Sequence, residues 1–539
     1  MELFLAHKRA LVVDDFPHMR TSLSAMLRQL GADDIDVAAD GDEALRLLAV
    51  NAYDVILCDY NLGDGKDGQQ VLEEARHRRL LRQSSIFIMV TAQSLAQHVL
   101  ATIEYRPDDY LIKPFVRDVL LSRLQHAAAR KRDLREIDRA IDAHDYARAM
   151  DLCEARILDQ DRRSLDLLKY DAELALELGD HAKAASVYEQ ILKLRNLPWA
   201  RFGLGKSKFM AGDYESAEQV FRSLIEQNEL YVEAYDLLAE TLRRVGDADA
   251  AQQVLTSATR LSPKSVKRQR TLGDRAFEAG NPEAAAQAYR AAIRYGANSC
   301  FRSSQEFTRL ADVLMSQKQS AKALSVLKEA KAALQDSRND LLHVAAKQAV
   351  AYTKLEQDAN AREAFAEVTR LYQGESAPIP PEIAIEMARA ALTLGEQDTS
   401  VEMLRDVVRN FHDDQAVLNA VQAMFKEFHL EEIGARLVDS ECDQLIELNN
   451  RGVRLVQEGQ LEPAIELFEQ AAQGLPRSRT INLNAAQVLL TYLQQHGLDN
   501  ALLARARQYL ERVRDIDPGD PSHARYQDLL SQCHRVAER

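Results

Sequence analysis

Several polar residues that could together transfer a phosphoryl group each stand at the end of a short, mostly apolar run. With the run that each one follows, they are Asp14 and Asp15 after 9–13, Asp59 after 54–58, Thr91 after 86–90, and Lys113 after 110–112. Apolar runs of this length between helical stretches predict strands of a parallel sheet that is covered on both faces. Ligands of such sheets bind outside the carboxyl ends of the strands, so we expect these side chains to form one site.

The residue types fit the transfer of a phosphoryl group to a carboxylate. Attack of one anion on another is opposed by charge repulsion, which a divalent cation between them relieves. A hard ion such as Mg²⁺ takes oxygen ligands, and Asp14, Asp15 and Asp59 supply carboxylates. Asp59 is also the candidate nucleophile, which would become an aspartyl-phosphate. Lys113 and Thr91 provide a positive charge and a hydrogen-bond donor for the phosphoryl oxygens.

Residues 9 to about 130 resemble a response-regulator receiver domain of the two-component signalling family. The likeness rests on segments in the order and approximate spacing of that family, namely ALVVDDFPHMR, DVILCDYNLGDGKDG, IFIMVTA and DDYLIKPF. The resemblance implies an α/β fold with a doubly wound five-stranded parallel sheet of the flavodoxin-like type. It also implies that a sensor histidine kinase or a phosphotransfer protein is a partner.

The same resemblance implies a role for each site residue. The phosphorylated residue would be Asp59, and the Mg²⁺ ligands would be Asp14, Asp15, Asp59 and the backbone carbonyl of Asn61. The phosphoryl contacts would be Thr91 and Lys113, and the switch residues would be Thr91 and Tyr110.

The chain departs from the family pattern next to the acceptor. Leu62-Gly63 replaces the usual Met-Pro step, and Gly68 lies nine positions after Asp59 (68 − 59) where the family has eight. The loop therefore carries one extra residue, and Gly63 and Gly65 predict a more mobile backbone than a proline would allow. A second departure, at 105–107, predicts an unusual surface beside Tyr110.

A 34-residue repeat accounts for the chain beyond the receiver-like segment. Its columns are Gly212, Gly246 and Gly280; Gly205, Ala239 and Gly273; Ala217, Ala251 and Ala285; and Phe221, Leu255 and Tyr289. This period resembles that of tetratricopeptide repeats, which implies helical hairpins stacked into an all-α superhelix. The small residues would let the two helices of each hairpin approach closely, and a Gly-Asp or Gly-Asn step would make the turn.

These patterns predict the domain organisation. The segments are a receiver domain at 1–130, a repeat array at 131–373, a linker or hinge at 374–381, and a second array at 382–539 that ends in a capping helix. Prolines in the linker cannot continue a helix. Near 130–133 two interpretations stay open: the last receiver helix runs into or closely abuts the first repeat helix, or a short solvated break separates them.

Composition argues against several other classes of function. The chain has 68 Lys and Arg against 83 Asp and Glu, a net charge of −15, which disfavours nucleic-acid binding. The most basic segment, 266–270, is predicted to be a solvated helix face. The five cysteines form no C-x-x-C pair and no long apolar segment exists, so we predict a cytoplasmic protein without membrane contact. No enzyme activity is predicted beyond the receiver's own phosphoryl uptake and autodephosphorylation.

The combination predicts a response regulator whose output is the binding of a protein or peptide by the repeats. Repeat arrays bind partners along their concave face. The residues predicted near that face are Trp199, Phe202, Lys206, Phe209, Glu240, Arg243, Lys267, Arg270 and Asn449. An alternative function is that of a phosphate sink or inhibitor of phosphotransfer within a kinase relay, which a complete receiver site permits equally well.

Overall fold

A computed structural model of the chain describes residues 4–92, 107–143, 145–158, 164–373, 379–514, 516 and 520–537. The chain divides into two compact units. The first comprises Met1–Ala279 with Ala291–Arg302, and the second comprises Gly280–Arg290 with Ser303–Arg539. The candidate site lies in the first unit.

The first unit begins with a five-stranded sheet in which every pairing is parallel. In chain order the strands are β1 Arg9–Val13, β2 Asp34–Ala38, β3 Val55–Asp59, β4 Ile86–Ala92 and β5 Asp109–Lys113. They are arranged β2-β1-β3-β4-β5 across the sheet. The predicted parallel sheet is confirmed. The sequence contains no apolar run at β2, because this edge strand carries exposed or half-buried residues such as Asp34 and Asp36.

Helices cover both faces of this sheet. They are α1 Pro17–Gln29, α2 Gly41–Val50, α3 Gly68–His77 and α4 Arg117–Asp133. On one face Val12, Leu57 and Val90 of the strands pack with residues of α1 and α4. On the other face Leu11 and Ile56 pack with residues of α2 and α3. Two buried faces explain why the strands β1, β3 and β4 read as nearly continuous apolar runs.

Beyond the sheet, every regular element within the described ranges is a helix. These are α5 Arg135–Asp142, α6 Tyr146–Leu158, α7 Ser164–Glu177, α8 His181–Leu194, α9 Pro198–Met210, α10 Tyr214–Gln227, α11 Val232–Arg244, α12 Ala248–Leu261, α13 Val266–Glu278, α14 Pro282–Gly296, α15 Ser304–Ser316, α16 Ser320–Ala333, α17 Arg338–Thr353, α18 Asp358–Gln373, α19 Pro381–Thr393, α20 Gln397–Asn410, α21 Gln415–Glu427, α22 Glu431–Gln457, α23 Leu461–Gly474, α24 Arg479–His496, α25 Asn500–Arg512 and α26 Pro521–Ala537. The predicted all-helical region is confirmed.

The repeat columns correspond to recurring features of the hairpins. The aspartates that follow the turn glycines cap the second helix of each pair, since Asp180, Asp213 and Asp247 each accept a hydrogen bond from the backbone three residues on. A Cβ atom on Gly205 would lie 2.6 Å from the ring of Phe221, so only glycine permits this helix spacing. The 34-residue period therefore records the contacts inside each hairpin.

The junction between sheet and repeats is a break at one residue. Helix α4 ends at Asp133 and α5 begins at Arg135, with the buried Leu134 between them. Of the two interpretations left open by the sequence, the helices abut closely and are not separated by a solvated segment. Most of the predicted linker, 374–378, lies outside the described residues, as do 105 and 106 of the second departure.

The basic segment 266–270 is not the solvated helix face that was predicted. Arg268 is 3% exposed, and its guanidinium donates to both carboxylate oxygens of Asp236 at 2.7 and 2.6 Å. Gln269 is also buried. The prediction failed because the partner carboxylate comes from the preceding hairpin, 32 residues earlier. Within the described ranges, no helix combines the length and apolar character that spanning a bilayer requires.

Candidate functional site

Three carboxylates meet at the carboxyl edge of the sheet. Asp14 follows β1 and Asp59 ends β3, and these strands are hydrogen-bonded parallel neighbours. One oxygen from each of Asp14, Asp15 and Asp59 lies within 4.8 Å of the others. Asp14 is fully buried and Asp59 is 7% exposed, so the acceptor candidate keeps a small opening to solvent.

Lys113 reaches this cluster from the end of β5. Its Nζ donates to Asp14 Oδ2 at 2.8 Å and to Asp59 Oδ2 at 2.7 Å. Burial acts to lower the pKa of Lys113, but the hydrogen bonds and charges of the two carboxylates outweigh it and raise that pKa. Burial raises the pKa of Asp59, and the hydrogen bond and charge of Lys113 oppose this rise. The lysine thus partly offsets the effect of burial on the acceptor carboxyl.

The remaining residues predicted for the site occupy different places around it. The backbone N–H of Asn61 donates to the carboxylate of Asp59. Thr91 is fully buried, and its hydroxyl donates to the Ala92 carbonyl at 3.5 Å. Tyr110 is half-buried and packs against the core cluster on the α2 and α3 face. The structure therefore brings Asn61 to the acceptor, and it places Thr91 and Tyr110 on the adjoining strands.

The acidic cluster fits a hard divalent cation. Asp15 Oδ1 is buried and has no hydrogen-bond partner among the described residues. A buried carboxylate oxygen without a partner is costly, and a cation coordinated there would remove that cost. Carboxylate oxygens are hard donors of the kind that Mg²⁺ binds. Asp14, Asp15 and Asp59 are the residues that would hold the ion.

Arg20 is a supporting residue that the sequence analysis missed. Its guanidinium donates to the backbone carbonyls of Asp14 and Asp15 at 2.6 and 3.1 Å. Asp14 Oδ1 in turn accepts from the backbone N–H of Phe16 at 2.9 Å. These bonds fix the turn that presents both carboxylates. The sequence feature that could have identified Arg20 is a cationic residue in the first turns of α1, the helix that follows the Asp14-Asp15 pair.

The aromatic residues predicted for the repeat groove belong to hairpin packing. Trp199 packs edge-on against Tyr188, with ring centroids 6.5 Å apart. Phe202 lies between Phe221 and Tyr231, at centroid distances of 6.0 and 5.3 Å. Phe209 contacts Tyr214 in the same manner, at 5.6 Å. All three side chains are half-buried, and their role in partner binding stays a prediction.

The polar residues predicted for the groove have partners within the chain. Arg243 donates to Glu240 at 2.8 Å, and the Nζ of Lys267 lies 3.7 Å from the ring centroid of Phe301. The guanidinium of Arg270 donates to the Phe301 carbonyl at 3.1 Å. Asn449 accepts from Asn484 in the second unit. Lys206 lines a cavity of about 700 Å³ together with Lys169 and Glu173. Their role in partner binding stays a prediction.

Comparison with known proteins agrees with this geometry. Residues 10–125 match the family model of the response regulator receiver domain. This part of the chain is a receiver domain. Tetratricopeptide repeat models match residues 175–241, 235–299 and 270–338. The chain thus joins a receiver to tetratricopeptide repeats, which is the composition of a two-component response regulator with a repeat region.

Two chemotaxis proteins match about a fifth of the chain, and a solved structure matches about a third. Chemotaxis protein CheY of Pseudomonas aeruginosa is 30% identical over 117 residues, which are 22% of this chain and 93% of that protein. Chemotaxis protein CheY-3 of Vibrio cholerae is 29% identical over 116 residues, 22% of this chain and 88% of that protein. The crystal structure of MamA protein is 19% identical, covers 34% of this chain and 98% of its own, and gives a TM-score of 0.30.

Proposed function

We propose that this protein accepts a phosphoryl group on Asp59 and transmits its phosphorylation state through protein binding by the repeats. The observation that carries the proposal is the convergence of three carboxylates and one ammonium group at a single point of the sheet edge. The three carboxylates lie within 4.8 Å of one another, and Lys113 Nζ is 2.7 Å from Asp59 Oδ2.

The chemistry assigns each group a task. A carboxylate oxygen of Asp59 attacks phosphorus, the new O–P bond forms, and the bond from phosphorus to the donor's leaving group breaks. Mg²⁺ held by Asp14, Asp15 and Asp59 would neutralise charge between the acceptor and the phosphoryl group. Lys113 carries a fixed positive charge beside the acceptor, where negative charge accumulates. Thr91, buried on the neighbouring strand, is the hydroxyl donor for a phosphoryl oxygen.

The partners follow from the two parts of the chain. The receiver takes its phosphoryl group from a sensor histidine kinase, a phosphotransfer protein or a small acyl phosphate. The repeats hold a protein or peptide ligand, for which the charged side chains of Lys206, Glu240 and Arg243 are the candidate contacts. Phosphorylation shifts the population of receiver conformations around Thr91 and Tyr110 and thereby alters what the chain binds.

Replacing the acceptor tests this function. We expect the full chain to take up label from ³²P-acetyl phosphate with Mg²⁺, and Asp59→Asn to reduce uptake to background because the amide is not a nucleophile. The matched control is Asp118→Asn, an exposed carboxylate that pairs with its neighbour Arg117 and should leave uptake unchanged. Label retained by Asp59→Asn at the level of the unmodified chain would show that the acceptor is another residue.

A further inference from the structure

The loop between the acceptor strand and α3 is held by residues of the repeats in the same compact unit. Asn298 Nδ2 donates to the Gly65 carbonyl at 3.0 Å, and Lys66 Nζ donates back to the Asn298 carbonyl at 3.0 Å. Lys264 Nζ lies 3.4 Å from Asp67 Oδ2. The loop residues 65–67 therefore have partners that lie about 200 residues or more further along the chain.

A ring contact places a second anchor at the other end of α3. His77 meets Phe301 edge-on, with ring centroids 4.9 Å apart. Phe301 is itself fixed, since the Nζ of Lys267 lies 3.7 Å from its ring centroid and Arg270 donates to its carbonyl at 3.1 Å. The turn that carries Asn298 and Phe301 is thus supported by α13 and contacts both the loop and α3.

The same loop touches the acidic cluster. A Cβ atom on Gly63 would lie 3.4 Å from Asp15 Oδ2, so this backbone runs directly beside the metal-binding candidate. The backbone N–H of Asn61 donates to the carboxylate of Asp59. A Cβ atom on Gly68 would lie 2.1 Å from the Asp59 carbonyl oxygen, which puts the start of α3 against the acceptor. Only one residue separates Gly63 from Gly65, which Asn298 holds.

Both ends of this loop are fixed locally, since Leu62 is buried and the Gly68 N–H donates to the Tyr60 carbonyl at 2.8 Å, but its middle, 63–65, is not. Gly63 has a φ of +73° and Gly65 a φ of +104°. Glycine adopts these backbone angles without steric cost, but it adopts many other backbone angles equally well. Residues 61 and 63–65 are exposed, and 60–67 contain no regular secondary structure. Ordering such a backbone costs conformational entropy, which contacts from outside the loop offset in advance.

We propose that Asn298 and Lys264 are positioning residues for the acceptor site. They hold the loop in the conformation that keeps Asn61 beside Asp59 and Gly63 beside Asp15, and so preorganise the site for Mg²⁺ and the phosphoryl group. The inference rests on the proposed function and adds to it a task for the repeats within the phosphorylation step. Because such coupling is reciprocal, the state of the acidic cluster also changes how firmly the repeats hold the loop.

The test compares full-length chains by calorimetric titration with Mg²⁺ alone and by uptake of labelled acetyl phosphate. For Asn298→Ala with Lys264→Ala, we expect the Mg²⁺ dissociation constant to rise about three- to tenfold, the size that loss of one hydrogen bond and one exposed ion pair would give. Uptake at low Mg²⁺ should fall by a similar factor and return to within about twofold at saturating Mg²⁺. A loss of uptake at low Mg²⁺ that saturating Mg²⁺ restores indicates a positioning role, whereas a loss of folded protein would lower uptake at both concentrations.

Two control variants sharpen the comparison. Lys264→Arg keeps a cation near Asp67 and should behave as the unmodified chain does. Lys322→Ala with Asn360→Ala removes the same residue types from exposed positions of the second unit and should change neither measurement. Asn298→Asp, which cannot donate to the Gly65 carbonyl, gives an independent variant in the same direction. Hydrogen exchange of residues 60–67 should be at least about threefold faster in Asn298→Asp and in the double variant.

The outcomes distinguish this inference from the function beneath it. If the unmodified chain binds Mg²⁺ and takes up label on Asp59 while the Asn298 and Lys264 variants match it, the positioning role is wrong and the acceptor assignment stands. Unchanged exchange at 60–67, or tighter Mg²⁺ binding by the variants, also overturns the positioning role. If the unmodified chain neither binds Mg²⁺ nor takes up label, the proposed function and this inference fail together.

Discussion

Single buried ionisable residues decide much of the electrostatic behaviour of this chain. At the sheet edge, burial raises the pKa of Asp59, and Lys113, which donates to it at 2.7 Å, opposes that rise. In the second unit, His343 on α17 is buried with Ser304 Oγ 3.0 Å from its Nδ1. Both side chains contact residues of other elements, so the contribution of each to the free energy of unfolding can be measured by substitution.

The buried histidine should make the second unit sensitive to acid. Burial lowers the pKa of His343 to about 4 from an ordinary value of 6.5. The charged groups that act on it are Lys347, Glu386, Asp340 and Arg309. Since the unfolded chain binds a proton below pH 6.5 while the folded chain does not, stability is lost as the pH falls from about 6.5 toward about 4.

Replacing the histidine tests this sign. We expect the difference in unfolding free energy between His343→Gln and the unmodified chain to change by about 2 kcal/mol between pH 7 and pH 5, in favour of the variant at the lower pH. Urea unfolding followed by circular dichroism at both pH values measures it. His496→Gln, at an exposed position, is the control. Parallel losses for His343→Gln and the unmodified chain would show that His343 does not cause the acid sensitivity.

At the scale of elements, close approach of two helices is what the small residues of the repeat permit. A Cβ atom on Gly452 of α22 would lie 2.3 Å from the ring of Phe468 on α23, and this ring is 1% exposed. A Cβ atom on Gly474, at the end of α23, would meet nothing within 4 Å. Substituting Gly452 therefore tests the steric effect of a side chain at a helix contact, and substituting Gly474 tests the effect of helix propensity alone.

This difference predicts opposite effects of alanine at the two positions. Gly452→Ala should destabilise the second unit by about 1–2 kcal/mol, because overpacking of a buried ring outweighs the gain in helix propensity. Gly474→Ala should leave stability unchanged or raise it by up to about 1 kcal/mol. Thermal and urea unfolding of the full chain measure both. Equal effects would mean that the hairpin can open to accept a methyl group.

At the scale of the molecule, successive repeats of the second unit are joined by ion pairs as well as by apolar contacts. Lys347 on α17 is 4% exposed and contacts Asp312 of α15 at 2.9 Å and Glu386 of α19 at 2.6 Å. Burial acts to raise the pKa of Glu386, but Lys347 and Arg389 outweigh it and lower that pKa to about 2. One lysine thus connects three hairpins of the array.

Removing this lysine should weaken the whole second unit. Lys347→Met keeps much of the side-chain volume but leaves Asp312 without its lysine and Glu386 with Arg389 as its cation, so we expect a loss of about 3 kcal/mol. Lys331→Met is the matched control, because Lys331 pairs with Glu367 at 2.5 Å but is 44% exposed and should contribute less than about 1 kcal/mol. Equal unfolding midpoints for the two variants would contradict a special role for Lys347.

The candidate site residues and the class of fold were predictable because both follow from local patterns. Residues at the ends of parallel strands meet at one edge of the sheet, so the positions of Asp14, Asp59 and Lys113 already indicated one site. The repeat period likewise records contacts between helices that are neighbours in the chain. The resemblance implied a fifth strand, but no apolar run located β2, because an edge strand with polar residues produces none.

The sequence by itself thus determined the acidic site, the parallel sheet and the helical repeats, while the tertiary structure alone decided which distant residues support them. Asn298 and Lys264 against the acceptor loop, Asp236 beside the buried Arg268, and Lys347 between two carboxylates all pair residues from different repeats or domains. No local pattern encodes such pairs, because each polar side chain has the same sequence signature whether it faces solvent or a partner brought to it by folding.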